Sequence, residues 1–373
     1  MTIGAELELI PVLATTKLPV PLRSNTGPSL SATISRCAAL NGWSDAGMNP
    51  APSWTTEDGS RISFEPGGQI EISSAPHVSC SELIRSLQRT AGQLAAAARS
   101  DGAELLTLGT DPYNDISAVP LQLESERYTL MTRYLDARGD CGVRMMRQTA
   151  ALQISVEHGP KPFERWRLLN ALAPYLVAIF ANSSRYAGRH TGHASYRAHL
   201  WRELDESRTG LPFDALDPAS RYAEFSLDAG ALRTENGLGE KHAFRSRLSD
   251  DELVYDDWLF HLSTLFPEVR PKEYFEIRSP DTIAVEDVAA PLVFVAGLVY
   301  DARAAERALA LLGDPNEALL RTAGKDGLGN GAIHSIATEL VRLAIEGGGR
   351  LPSSYLTAEH HAQAAGWLRS RVG

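Results

Sequence analysis

Residues 62–74 read ISFEPGGQIEISS, and the fold turns on how this run is parsed. Ile62, Phe64, Ile70 and Ile72 share one parity, while Ser63, Glu65, Gln69, Glu71 and Ser73 share the other. Side chains alternate across a strand, so the run predicts a half-buried strand broken at Gly67 and Gly68. A bulge at the glycines would shift that count. Glutamate is a poor strand former, and a face carrying two of them needs a reason.

Three further stretches repeat the pattern. In TIGAELELI, Ile3, Ala5, Leu7 and Leu9 alternate with Thr2, Gly4, Glu6 and Glu8. In TAALQISVE, Ala150, Leu152, Ile154 and Val156 alternate with Thr149, Ala151, Gln153, Ser155 and Glu157. In EYFEIRS, Phe275 and Ile277 alternate with Tyr274, Glu276 and Arg278. An antiparallel sheet with one wet face looks like this. The polar faces nonetheless hold Glu6, Glu8, Glu65, Glu71 and Glu276 against a single strand-borne cation, Arg278. Either the sheet is an acidic, solvated surface, or its carboxylates gather divalent cations, which take hard oxygen ligands. The pattern leaves both readings open.

The 373 residues are 43% hydrophobic and 22% charged, enough chain to bury a sizeable core. A formal net charge of −10 argues against nonspecific nucleic-acid binding. An acidic chain that handles an anion such as ATP must concentrate arginines or divalent cations locally. Cys37, Cys80 and Cys141 have neither disulfide nor zinc spacing and read as isolated thiols. The longest apolar run, ALAPYLVAIFA at 171–181, is too short for a bilayer and reads as a buried helix. With no basic, then apolar, leader after Met1, the expected location is the cytoplasm.

Ser79 and Glu82 have capping-box spacing and open a helix that stops at Gly102, with Leu83, Leu87, Ala91 and Leu94 as its buried stripe. A second helix starts at Pro162, with Pro174 as a kink, and two more meet around Tyr300 and Asp301. Residues 47–59 and 228–240 carry turn chemistry and are expected as loops. With no linker visible, residues 1–373 read as a single α+β domain, helices packed on one side of the sheet.

Five segments in order carry a family resemblance: FEPGGQIEISSAP, RQTAALQISVE, FANSS, YRAHLWRELDESRTGLPF and DDWLFHLSTLFPEVRPKEYFEIRSPDT. Together they resemble the second type of glutamate–cysteine ligase, found in plants and in the actinobacterial route to ergothioneine. The resemblance implies a glutamine-synthetase-like fold, a curved antiparallel sheet forming a funnel with helices on its outer face. It also implies ATP- and Mg²⁺-dependent joining of the glutamate γ-carboxylate to the amine of cysteine through a γ-glutamyl phosphate, a step of thiol biosynthesis. Two or three Mg²⁺ ions are implied, with Glu6, Glu8, Glu65, Glu71 and Glu276 matching the family's metal-binding glutamates and Gln153 a polar metal or ATP contact. Arg278 matches the arginine aimed at the transferring phosphate, a role that suits a fixed guanidinium. Arg147, Arg197 and Arg208 are the substrate-carboxylate candidates, and Trp201 and Tyr128 the candidate pocket walls. The implied partners are small molecules, with neither nucleic acid nor membrane, and the oligomeric state stays open.

The chain also departs from the family. Ser155 stands where plant-type members have asparagine, residues 185–193 (RYAGRHTGH) are unusually basic, and both ends are shorter. Those changes bear on the acceptor more than on the glutamate donor. The alternatives are a ligase of the same fold using another amine, a non-catalytic binding protein retaining the fold, or a metal-dependent hydrolase. RTAGKDGLGNGAIH lacks the glycine and hydroxyl spacing of a P-loop and reads as a loop entering a helix. His190, His193, His360 and His361 read as solvent-exposed.

Overall fold

The computed structural model describes residues 1–48, 50–213, 217–234, 237–238, 242–249 and 253–373. Among these, nine strands form one open sheet: β1 (Ile3–Leu13), β2 (Ser44–Met48), β3 (Pro52–Thr55), β4 (Arg61–Phe64), β5 (Ile70–Ser73), β6 (Ala103–Leu106), β7 (Leu152–Val156), β12 (Val269–Pro271) and β13 (Phe275–Ile277). Two short ribbons, β8 (Arg185–Tyr186) with β9 (Arg189–His190) and β10 (Arg233–Thr234) with β11 (Gly237–Leu238), stand outside it. The order across the sheet is β12-β13-β7-β1-β5-β4-β3-β2, with β6 paired to the far half of β1. Every one of these pairings is antiparallel.

The opening stretch is a hairpin, not one interrupted strand. Phe64 pairs with Ile70 and Ile62 with Ile72, so the parity survives the turn and all four apolar side chains enter the core. The turn is closed from within: Glu65 N donates to Gln69 O, and Gly67 N donates to Gln69 Oε1. Gln69, expected on the polar face, is instead buried, and its Nε2 donates to Thr149 O at 2.9 Å. Gly68 sits at φ +89°, a conformation that favours glycine. At Gly67 the reason is proximity, because a Cβ would overlap the backbone carbonyl of Arg147. Gly67→Ala is therefore expected to destabilise by about 1–3 kcal/mol, the usual range for overpacking, read as a lower denaturation midpoint. An unchanged midpoint would show that the backbone of Arg147 yields at no cost.

Fourteen α-helices are described: α1 (Leu30–Leu40), α2 (Cys80–Ser100), α3 (Glu126–Asp136), α4 (Asp140–Gln148), α5 (Pro162–Ile179), α6 (Tyr196–Leu204), α7 (Glu206–Thr209), α8 (Pro218–Asp228), α9 (Tyr255–Leu262), α10 (Ala289–Tyr300), α11 (Ala302–Leu311), α12 (Glu317–Asp326), α13 (Gly331–Gly348) and α14 (Ala358–Val372). In α2 the Ser79 side chain accepts from Glu82 N, and Leu83, Leu87, Ala91 and Leu94 are buried as their spacing predicts. Burying each of those leucines contributes about 1.5–3 kcal/mol. Helices α2, α5, α10 and α13 share one core with the apolar face of β1, β4, β5, β7 and β13. Pro174 lies inside α5, and Asp301 caps α11 where the chain turns by 93° after α10. Among the described residues, no single helix is long and apolar enough to cross a membrane.

Not every helix packs on the apolar face. Met131 of α3, Met145 and Met146 of α4, and Leu200 and Trp201 of α6 form a second cluster with Phe266. This cluster stands over the polar face of the sheet and closes the site described below.

Four local expectations are corrected. Residues 47–59 contain the end of β2 and all of β3, because an exposed edge hairpin tolerates glycine and proline; Asn49 lies outside the described residues. Within 228–240, Arg233–Thr234 pairs with Gly237–Leu238, while Glu235, Asn236, Gly239 and Glu240 lie outside the described residues. Gly324 and Lys325 belong to the last turns of α12, so that stretch is helix before it is loop. His360 is buried rather than exposed, its ring hydrogen-bonded to Thr357 Oγ1 at 3.2 Å.

Candidate active site

The register of four adjacent strands assembles the acidic residues. Glu8 faces Glu71 directly across the β1–β5 pair, and Glu6 faces Gln153 across β1–β7. Glu276 on β13 is one strand further, opposite Ser155. Glu65 is added by the β4–β5 turn. Like charges directly opposed are destabilising in a sheet, so this array is costly without a compensating cation.

These side chains line a cavity of about 160 Å³ that also takes in Arg127, Tyr128, Arg197, Trp201, Arg270, Lys272 and Arg278. Its charge is divided. Among the described residues, Glu6, Glu8, Glu65 and Glu71 form no ion pair with any lysine or arginine. Glu8 accepts from Ala151 N at 2.8 Å and from Gln153 Nε2 at 3.0 Å, while Glu71 Oε1 accepts from Ser63 and Ser73 hydroxyls. Glu276 is the opposite case: Lys272 meets one oxygen at 2.5 Å, and Arg278 and Arg270 meet the other at 2.9 and 3.3 Å. Gln153 joins the two halves, since its Oε1 accepts from Arg278 Nη1 at 2.6 Å.

The titration behaviour follows. Burial, then Glu71 and Glu276, push the Glu6 carboxyl up to about 8. Burial and then Glu71 push Glu8 up to about 7, and Glu65 is raised well above the usual range by burial, Glu71 and Glu8. For Glu276 burial acts upward too, but Arg270, Arg278 and Lys272 overcome it and hold the carboxyl far below the usual range. A raised carboxyl pKa means that the folded state holds protons the unfolded chain has released. The metal-free protein is therefore most stable near or below the ordinary carboxylate value of about 4.5 as far as Glu6 and Glu8 are concerned. That contribution is lost as pH rises towards about 8. In EDTA, melting temperature is expected to fall between pH 6 and pH 8, and Mg²⁺ to raise it more at pH 8. A Mg²⁺ effect that is equal at both pH values would contradict this.

Among the described residues, no three His, Cys, Asp or Glu side chains converge tightly enough to hold a metal ion as they stand. Glu276 lines the same cavity but differs from the other four in that both its oxygens are engaged by cations. Glu6, Glu8, Glu65 and Glu71 do fit a hard divalent ion in kind. They are oxygen donors on one wall with no protein cation among them.

Of the arginines expected to hold substrate, Arg197 lines the cavity, but its guanidinium donates to the carbonyls of Arg278 and Ser279 and lies 3.7 Å from Asp281. Arg147 and Arg208 do not line it. Arg147 donates to Val119 O, while Arg208 is buried against Thr264, Gly230 and Asp205. All three are spent on backbone carbonyls, and Arg197 and Arg208 also on the carboxylates of Asp281 and Asp205. Arg270, Lys272 and Arg127 line the cavity in addition to the expected residues; Arg270 and Lys272 stand two apart just before EYFEIRS, and Arg270 pairs with Glu276 across β12–β13. That spacing was the available signal.

The model of glutamate–cysteine ligase family 2 matches residues 2–343. The chain belongs to that family. Glutamate–cysteine ligase EgtA of Mycolicibacterium smegmatis is 33% identical over 304 residues, covering 77% of this chain and 71% of that protein. The chloroplastic glutamate–cysteine ligase of Brassica juncea is 32% identical over 317 residues, covering 77% of this chain but 60% of its own length. The family member described here thus matches only about three fifths of that plant relative. Among solved structures, the glutamate–cysteine ligase of Francisella tularensis in complex with AMP aligns over 100% of this chain and 82% of its own, with TM-score 0.56 and 14% identity. A bifunctional glutathione synthetase of Pasteurella multocida aligns over 100% of this chain and 46% of its own, with TM-score 0.50 and 11% identity. At those identities the likeness is one of fold, and it supports the α+β antiparallel architecture.

Proposed function

We propose that this protein is an ATP-dependent ligase that joins the γ-carboxylate of glutamate to the amine of cysteine, giving γ-glutamylcysteine. A γ-carboxylate oxygen attacks the terminal phosphorus of ATP, the bond to the bridging oxygen breaks, and ADP leaves. The acceptor's neutral amine attacks the acyl carbon of the γ-glutamyl phosphate, phosphate departs with the C–O electron pair, and the amine loses a proton as the amide forms. Phosphoryl transfer asks a protein for positioning and for positive charge around the equatorial oxygens. Arg278, Lys272 and Arg270 supply that charge on one side of the cavity. Glu6, Glu8, Glu65 and Glu71 would hold Mg²⁺ on the other, where the ions neutralise phosphate charge when bound. Gln153 couples the two sides, and Trp201 and Tyr128 wall the cavity. The whole chain serves as one catalytic domain acting on small molecules in the cytoplasm.

The observation that carries this reading is the divided cavity, with unpaired carboxylates facing three convergent cations across one amide. A hydrolase built on carboxylates alone has no use for the cationic half. ADP release by purified protein with glutamate, Mg²⁺, ATP and a panel of amines tests it. Stimulation by cysteine above the other amines is expected. Equal release without any amine would point to a plain ATPase, and release favouring another amine would keep the ligase but change its acceptor.

A further inference from the structure

Asp281 is a buried carboxylate that the reaction above does not use. Its backbone bridges Ala151, and the Ala151 N–H donates to Glu8 Oε2 at 2.8 Å. Asp281 and Glu8 therefore flank one small residue of β7. The Asp281 carboxylate is held on every side. Its Oδ2 accepts from Asn182 N at 2.8 Å and Ser183 Oγ at 2.7 Å, and its Oδ1 accepts from Ser195 Oγ at 3.0 Å. A Cβ on Gly109 would come within 2.4 Å of its carboxyl carbon.

Arg197, in the first turn of α6, is the cation that both acids address. It lines the cavity together with Glu8, yet its ion pair is with Asp281, 3.7 Å from Nη1. Burial pulls the pKa of this guanidinium down, while Asp281 first and Glu8 second push it back up. Two carboxylates thus compete for one guanidinium. Its Nε is buried with no hydrogen-bond partner among the described residues, which leaves a donor for a further carboxylate. Glu276 shows the other outcome in the same cavity, with Arg270, Lys272 and Arg278 on its two oxygens.

We propose that Asp281 is a positioning residue: by holding Arg197 it keeps that guanidinium off Glu8 and leaves Glu8 open to a divalent cation. The inference rests on the reading of Glu8 as a Mg²⁺ ligand in the ligase proposed above. A carboxylate already paired with a guanidinium binds a metal ion more weakly, because two positive charges then share one anion.

Mn²⁺ is the probe, its binding to the purified protein read from the electron paramagnetic resonance signal of the free ion, without nucleotide or amino acid. Asp281→Asn leaves one oxygen for Asn182 N and Ser183 Oγ but removes the counter-charge of Arg197. It is expected to weaken Mn²⁺ binding about 10- to 100-fold, the scale for residues that orient metal ligands. Adding Arg197→Met is expected to restore binding to within about 3-fold of wild type, because the two side chains act as one coupled pair. A merely structural role predicts the reverse, with the paired variant binding no better than Asp281→Asn. That result overturns the proposal, as does Asp281→Asn binding Mn²⁺ like wild type. Should Asp281→Asn fail to fold, the paired variant, which leaves neither charge buried alone, is compared with Arg197→Met. Equal binding by those two supports the proposal, and weaker binding by the paired variant overturns it. Wild-type protein that releases ADP but whose Mn²⁺ binding ignores these substitutions overturns the positioning role alone. Wild-type protein that binds no Mn²⁺ overturns this inference, and the ligase reading with it if ADP release is absent too.

Discussion

Replacing Arg278 by alanine is expected to lower acceptor-dependent ADP release by about 10³-fold or more while the protein stays folded. The guanidinium donates to Gln153 and Glu276 and lies 5.2 Å from the Trp201 ring, so it is held at the boundary between the cationic and acidic walls. An arginine fixed against a transferring phosphoryl group is worth about 10³ to 10⁵ in turnover. The stability cost is limited, because Glu276 keeps Arg270 and Lys272 as partners. Arg278→Lys preserves charge but not the forked donor geometry, so it is expected to recover only a small part of the loss. Turnover and a melting curve on the same preparations separate the two effects. Alanine turnover within 10-fold of wild type would remove Arg278 from the reaction.

The largest expected loss of stability lies behind that arginine. Arg202 donates to Glu268 at 2.9 Å with both side chains buried, and Arg202 also reaches Glu317 at 3.2 Å. Glu268 in turn accepts from the Ser279 hydroxyl through Oε2 and from Arg278 N through its carbonyl. The pair therefore fixes the backbone that carries Arg278. Arg202→Met strands a buried carboxylate and is expected to cost about 3–5 kcal/mol, whereas Arg202→Met with Glu268→Leu is expected to recover most of it. Denaturation midpoints of the two variants check this. A single substitution costing under about 1 kcal/mol would mean that water reaches Glu268.

Much of the scaffold was legible because its signals are local. Period-two alternation marked four strands, the Ser79 and Glu82 spacing marked the start of α2, and five ordered segments carried the family. The hairpin in ISFEPGGQIEISS was half legible. Parity placed its isoleucines correctly, but whether two glycines make a bulge or a turn depends on the backbone of Arg147 pressing against Gly67. The glutamates were found by an excess of charge that no local rule explains. The arginines were not sorted, since every arginine looks alike until its partners are known.

By itself, then, the sequence determined which residues alternate, where the helices open, which family the chain belongs to, and that its strand faces carry an excess of glutamate. Only the tertiary structure decided that Glu8 opposes Glu71 across 63 residues of chain, that Gln153 joins them to Arg278, and that Glu276 is surrounded by cations. It also decided that Arg147 and Arg208 are held by backbone carbonyls away from the cavity, whereas Arg197, Arg270 and Lys272 line it. The physical reason is range. Alternation and capping act between residues a few positions apart, but a guanidinium's role is set by which carbonyls and carboxylates the fold brings to it from elsewhere in the chain.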